Sequence, residues 1–300
     1  MPSDKTPVVA QIWEQLEAEG KGRRIVYFDD VLSAINHCNE GDGRARSTRN
    51  PANFMKDLLR GANASSHWPE NLSKMQITGK QITGEERIFE FVPFAPGQTE
   101  PFPNPFEPTG EEPEVTIQSL SLPLVTKSLG RKDESWLIQV AVWLKVLETH
   151  FATHSAIELV EISHLQTGVK LNRTEIDSLF LAVYRDGDSY RNALLTCEAK
   201  QQNDPILGTQ IVQQVASAYG SISSLDLGIE LVIPVAIKAV RDRGAIYVAE
   251  FEAWNLTEIA ASEIERKDLT VACAGLYILQ PPVPGVGYDR PRKSRKAFRS

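Results

Sequence analysis

Three hundred residues, 42% apolar and 24% charged with a net charge of −7, describe a globular chain with material for two packed cores and exclude a disordered or fibrous one. No run approaches about 18 apolar residues, so no membrane-spanning helix is expected, and the start, Met1 to Pro7, has no apolar signal core. Cys38, Cys197 and Cys273 are odd in number and lack C-x-x-C spacing, which predicts a cytoplasmic chain with free thiols and no zinc cluster.

From the N-terminus, Val8, Val9, Ile12, Trp13 and Leu16 recur at helical spacing over 6–20, with Pro7 suited to the first turn. Residues 27–35 predict a short second helix capped by Asp29 or Asp30, followed by a polar, basic turn over 41–49. Asn50 and Pro51 open a third helix, Asn53 to Arg60, that Gly61 ends. His67-Trp68-Pro69 is expected to pack at a loop, and 74–92 reads as two strand-like runs around a Gly84-centred turn. Three helices followed by a β-hairpin resemble a winged-helix domain, which makes residues 1–92 a candidate DNA-binding domain. The resemblance implies a third helix entering the major groove by its N-terminal end. Arg46, Arg49, Asn53, Lys56 and Arg60 cluster on or just before that helix, and Arg and Asn pair bidentately with guanine and adenine edges. The wing would offer Lys74, Lys80 and Gln81 to phosphates or the minor groove. The alternative is a solvated charged face in a protein-interaction domain.

The sharpest composition shift follows, a Pro-rich acidic linker over 93–118 whose prolines favour an extended connector. Phe94, Phe102 and Phe106 suggest that it lies against a surface. Within the next domain, 119–280, Ser135 to His150 predicts one long helix with Trp136, Val140, Trp143, Leu144 and Leu147 on its apolar face. His150 and His154 are spaced i, i+4 without an H-E-x-x-H glutamate and are expected on a helix surface. A strand over 156–163 precedes a hairpin, 175–184 and 193–200, around the polar loop 185–192. A helix over 208–219 leads to strands over 228–240 and 245–253. The chain closes on a Pro-containing basic tail, 281–300, whose part from Asp289 to Ser300 holds Arg290, Arg292, Lys293, Arg295, Lys296 and Arg299 and is expected to be flexible and to bind phosphates.

The chemistry concentrates in the hairpin. Its strands carry Asp177 and Glu198-Ala199-Lys200, with Glu198 and Lys200 on one face and Leu195, Cys197 and Ala199 directed into the core. Two carboxylates and an ammonium at one strand end are costly to bury unless a hard divalent cation binds there. The alternative is an ordinary amphipathic hairpin whose acids and lysine form surface ion pairs.

These residues resemble the motif of the PD-(D/E)XK nuclease superfamily, with Ile176 in place of the family's proline. The order helix, three strands, helix, strand over about 130–253 is similar to that family's core. The resemblance implies an α/β (α+β) fold, a restriction-endonuclease-like core of a mixed central sheet flanked by helices behind a small winged-helix-like domain. It implies Mg²⁺, with Mn²⁺ as a substitute, held by Asp177, Glu198 and the Ala199 carbonyl, and Lys200 orienting or deprotonating the attacking water. Gly130-x-x-x-Glu134 resembles the extra acid of resolvase- and RecB-like members; Glu148 is the rival, and Glu175 a candidate outer ligand. Gln210 and Gln214 lie one turn apart on one stripe, with Gln213 about 100° away. The implied activity is type II restriction cleavage of double-stranded DNA, and cutting both strands implies a homodimer. A structure-specific repair or RecB-like nuclease and a non-catalytic DNA-binding regulator are the alternatives. Without a G-x-x-x-x-G-K-[ST] loop no nucleotide cofactor is expected, and there is no G-x-S-x-G elbow.

Overall fold

The computed structural model describes residues 4–59, 64–82, 86–128, 131–171, 174–222, 228–259, 264 and 269–287. It divides into two units, Met1–Pro105 and Phe106–Ser300.

In the first unit, Pro7 sits in the first turn of α1 (Thr6–Ala18), which buries Val8, Val9, Ile12, Trp13 and Leu16. A short strand β1 (Ile25–Tyr27) precedes α2 (Phe28–Asp42), whose start is fixed by the Tyr27 N–H donating to the Asp30 carboxylate at 2.8 Å. The buried stripe Val31, Ala34, Ile35 and Cys38 carries α2 well past the expected end at 35 and into the predicted turn. It stops where Gly43 turns left-handed at φ +68°. Helix α3 (Pro51–Leu59) opens as expected, the Asn53 N–H donating to Asn50 Oδ1 at 3.0 Å.

Two short helices then appear where a loop and a strand start were expected, α4 (Ala64–His67) and α5 (Glu70–Lys74). Lys74 therefore ends a helix instead of opening a wing strand, and it pairs with Glu70 at 2.7 Å. Strands β2 (Ile77–Gln81) and β3 (Arg87–Pro93) complete an antiparallel sheet of order β1-β3-β2. Trp68, in the loop after α4, packs as expected, its ring 5.0 Å from Phe102 and its indole N–H donating to the Ile77 carbonyl at 2.9 Å. Arg60, Gly61 and Gly84 lie outside the described residues.

The second unit begins inside the expected linker. Glu114–Gln118 form β4, which lies beyond the last proline of the run and pairs in parallel with a later strand. Phe106 packs edge-on against Phe251, ring centroids 5.1 Å apart. After α6 (Leu124–Ser128), the single long helix expected is two, α7 (Glu134–Trp143) and α8 (Val146–Thr153). Lys145 breaks them at φ +57°. A left-handed lysine costs roughly 1–2 kcal/mol, offset here by burying Leu137, Val140, Leu144, Val146 and Leu147 in one core. Trp143, placed on the apolar face by its spacing, is instead half-exposed.

Strands β5 (Leu159–Leu171), β6 (Thr174–Asp186) and β7 (Ser189–Lys200) form a meander longer than the sequence suggested. The eight-residue loop shrinks to a tight turn, because Asp186 pairs with Ser189 and Gly187 supplies φ +60°. Helix α9 (Gly208–Ile222) crosses to β8 (Ile229–Val240), parallel to β7. A turn at Arg241–Arg243 and Gly244 leads to β9 (Ala245–Phe251), then β10 (Trp254–Asn255) and β11 (Val271–Gln280).

The strand order is β4-β11-β9-β8-β7-β6-β5, with β10 beside β8; β7–β8 and β11–β4 are parallel and the other pairs antiparallel. Helices α7 and α8 pack on one face, with Leu195, Cys197, Ala199 and Val235. Helix α9 covers the other, where Val215 and Ala218 meet Leu194 and Val232. The unit is thus a mixed α+β domain with a central mixed sheet flanked by helices. Covering both faces buries β7 continuously from Ala193 to Ala199. Glu198 therefore points into a helix-covered face and not to solvent.

Candidate metal and catalytic centre

The β6–β7 ladder ends at Ser178↔Cys197. One residue further, the Asp177 side chain takes over, its Oδ2 accepting the Ala199 N–H at 2.9 Å. That bond joins the acid of one strand to the E-x-K end of the next. Glu198 is 3% exposed. Its Oε1 accepts from the Lys200 ammonium and its Oε2 from the Gln214 amide on α9. Gln214 also donates to the Glu175 carbonyl at 3.5 Å. A carboxylate taken out of water needs such partners, since the desolvation penalty is several kcal/mol per ion.

Burial, reinforced by the Glu198 charge, pushes the Asp177 carboxyl up to about 7 against the pull of the Ala199 N–H and Lys200. Glu134, the first residue of α7, adds a weaker repulsion in the same direction. The rival Glu148 is instead paired with Lys145 at 2.7 Å. Crowded acids whose ionisation is resisted are what a cation relieves. Gln210 Oε1 and Gln214 Oε1, from the same stripe of α9, are buried acceptors without a hydrogen-bond partner. Leaving such an atom unsatisfied costs about 1–3 kcal/mol.

Two contributors escaped the sequence reading. Gln201 is buried beside Lys200, donates to the Asp133 carbonyl at 2.8 Å and accepts from Arg241 at 2.8 Å. Asp133 caps α7 through the Trp136 N–H at 2.9 Å, so Gln201 ties the start of that helix, and Glu134 with it, to the end of β7. Lys238 stands opposite Lys200 in register and is buried, held by Glu107 and, at 3.0 Å, by the Asp204 carbonyl. Its signal was visible, since it is the one charge in the run Leu231 to Val240.

The candidate DNA contacts of the first unit divide. Arg49, Asn53, Lys74 and Lys80 are exposed and Gln81 is half-buried. Arg46 is corrected: it is buried, with its guanidinium on Asp42 at 2.6 and 2.9 Å and on the Asp4 carbonyl at 2.8 Å. It holds the end of α2 and is not available to a base edge. The Lys56 side chain, Arg60, Gly130 and the basic residues of 290–299 lie outside the described residues.

His150 is also corrected. It is fully buried, and with Glu250 and Cys273 it forms, among the described residues, a group of three whose ligand atoms lie within 4.8 Å of one another. Asp177, Glu198 and Glu134 do not converge that closely in the described residues. Burial and then the Glu250 charge push the Cys273 thiol up to about 12.

No family model matches the chain, and comparison with curated proteins and with solved structures finds no match.

Proposed function

We propose that the chain is a divalent-metal-dependent endonuclease of the type II restriction kind that hydrolyses double-stranded DNA, with its catalytic centre in the second unit. The observation that carries this reading is the Asp177–Ala199 bond, which sets Asp177, Glu198 and Lys200 together at one strand end. Mg²⁺ or Mn²⁺ fits the donor set: two carboxylates, the Ala199 carbonyl, and two unpartnered amide oxygens able to accept from the waters a hard cation keeps. Bound there, the ion supplies charge neutralisation at the phosphate and a more acidic water. Gln214 holds the Glu198 carboxylate in place, and Lys200 orients the attacking water by donating to it. Glu134 adds negative charge on the α7 side. A winged-helix reading of the first unit rests on α1–α3 and the β1-β3-β2 sheet, with the short α4 and α5 between them, and on exposed Arg49 just before α3 and Asn53 within its first turn for base edges and Lys80 for phosphate. Two such chains, paired on the duplex, would cut both strands.

Plasmid, genomic and forked DNA incubated with Mg²⁺ or with EDTA test the reading. Discrete metal-dependent bands are expected; fork-dependent cutting makes it a repair nuclease, and tight binding without cutting makes it a regulator. Asp177→Ala and Glu198→Gln should abolish cleavage while DNA binding stays within about tenfold, because these groups do not face the grooves. Lys200→Ala should do the same, but it leaves the buried Glu198 carboxylate uncompensated, at about 3–5 kcal/mol. A thermal melt therefore accompanies its assay. Full cleavage by Glu198→Gln would sink the assignment.

A further inference from the structure

His150, Glu250 and Cys273 come from α8, β9 and β11, at the opposite end of the sheet order from β5 and separated from Asp177 by intervening strands. Their ligand atoms form a closed triangle. His150 Nε2 lies 3.2 Å from Glu250 Oε2 and 3.4 Å from Cys273 Sγ, which is 3.3 Å from the same Glu250 oxygen. Zinc bonds of about 2.0–2.1 Å to nitrogen and oxygen and 2.3 Å to sulfur, at tetrahedral angles, set neighbouring ligands about 3.3–3.6 Å apart. The triangle has nearly those edges. The atoms behind it are also occupied as in a metal centre: His150 Nδ1 is 2.8 Å from the Tyr277 hydroxyl, and Ser155 donates to the other Glu250 oxygen at 2.9 Å.

Beside the triangle, the His154 ring lies edge-on to His150 at 6.0 Å and tilted against Tyr277 at 6.2 Å between centroids, and its Nε2 is buried without a hydrogen-bond partner. Room for that ring depends on Gly275, where a Cβ would fall 2.9 Å from the Tyr277 hydroxyl and 3.0 Å from the His154 ring. A polar group with unmet hydrogen-bonding capacity therefore borders the triangle.

We propose that His150, Glu250 and Cys273 hold one Zn²⁺ ion, distinct from the Asp177–Glu198 centre. A carboxylate, an imidazole and a thiolate make a borderline set that suits zinc and not magnesium or calcium. On binding, the Cys273 S–H bond is exchanged for a sulfur–zinc bond and the proton goes to solvent. Three protein ligands leave a fourth position for water. The ion clamps α8 onto β9 and β11, and its role is independent of DNA cleavage.

The full chain, purified without chelators, should retain about one equivalent of zinc. X-ray absorption should show one sulfur at about 2.3 Å and lighter ligands at about 2.0–2.1 Å. Replacement by Co²⁺ should give a thiolate-to-cobalt charge-transfer band. Cys273→Ala should lose the band and the sulfur shell, Cys38→Ala and Asp177→Asn should keep both, and Tyr277→Phe should weaken zinc binding about 10–100-fold. Folded wild-type protein that retains no zinc and gives no cobalt–thiolate band overturns the site, whatever the variants do. A band that survives in Cys273→Ala overturns it as well.

Discussion

Asp177 is charged only against resistance, and the sign of that resistance makes a measurable consequence. Its ordinary value is 3.8 and its folded value about 7. Between those limits the folded chain binds more protons at this carboxyl than the unfolded chain does, so stability falls as pH rises through about 4 to 7. The full effect is on the order of 4 kcal/mol if undiluted by neighbours, of which about 3 falls between pH 5 and pH 8. Urea melts of the chelator-treated protein at pH 5 and pH 8 should show this loss, and Asp177→Asn should remove most of it. Adding Mg²⁺ at pH 8 should restore stability, because a cation rewards the ionised form. An identical pH slope in Asp177→Asn would place the proton elsewhere. The same residue shows why the motif was readable: its acid, E-x-K spacing and flanking apolar runs all lie within 25 residues of sequence. Gln201 and the His150–Glu250–Cys273 triangle were not readable. One needs a contact to a helix 68 residues away, and the other joins His150 to residues 100 and 123 positions further on.

At the scale of elements, strands with strong β-formers were legible and the interruptions were not. The run Ile229 to Val240 is rich in Ile, Val and Leu, whereas β11 opens on Val-Ala-Cys-Ala-Gly, whose small residues give no pattern. The break at Lys145 leaves no mark either, since no Gly or Pro stands there and only packing of two helices on one sheet face decides it. The segment after β11 has a stricter requirement. Gly285 sits at φ +84°, and a Cβ there would lie 2.0 Å from the Arg131 carbonyl oxygen and 3.0 Å from the Trp136 ring. The neighbouring Pro284 carbonyl accepts from the Trp136 indole at 2.8 Å, so this segment is pinned beside the start of α7. Gly285→Ala should destabilise the second unit by on the order of 3 kcal/mol or more, combining backbone strain with a clash against main chain. Denaturant melts measure it, and a change under about 1 kcal/mol would show that the segment shifts freely.

For the molecule as a whole, the decisive boundary is where the first unit ends. Composition places it at 92, but the following residues are bonded back into the first unit. Thr78 donates to the Pro101 carbonyl, and Gln98 donates to the same carbonyl at 3.0 Å. Ser65 Oγ donates to the Phe102 carbonyl and accepts the Phe102 N–H, both at 3.1 Å, while the Phe102 ring packs on Trp68. Prolines rule out a ladder there without ruling out side-chain anchoring, which is why composition alone reads the stretch as a connector. A fragment of residues 1–105 should therefore unfold cooperatively, and one of 1–92 should be less stable by about 2–4 kcal/mol, as should Phe102→Ala within 1–105. Equal melting of the two fragments would return the boundary to 92. The longer fragment is then the right material for the proposed DNA surface. Arg49→Ala and Asn53→Ala should each weaken binding to a specific site by about 1–3 kcal/mol with little effect on random DNA. Lys80→Ala should weaken all sequences alike and flatten the slope of log affinity against log salt by about 0.9. If 1–105 is folded and still binds no duplex at low salt, the exposed start of α3 belongs to a protein partner and not to DNA.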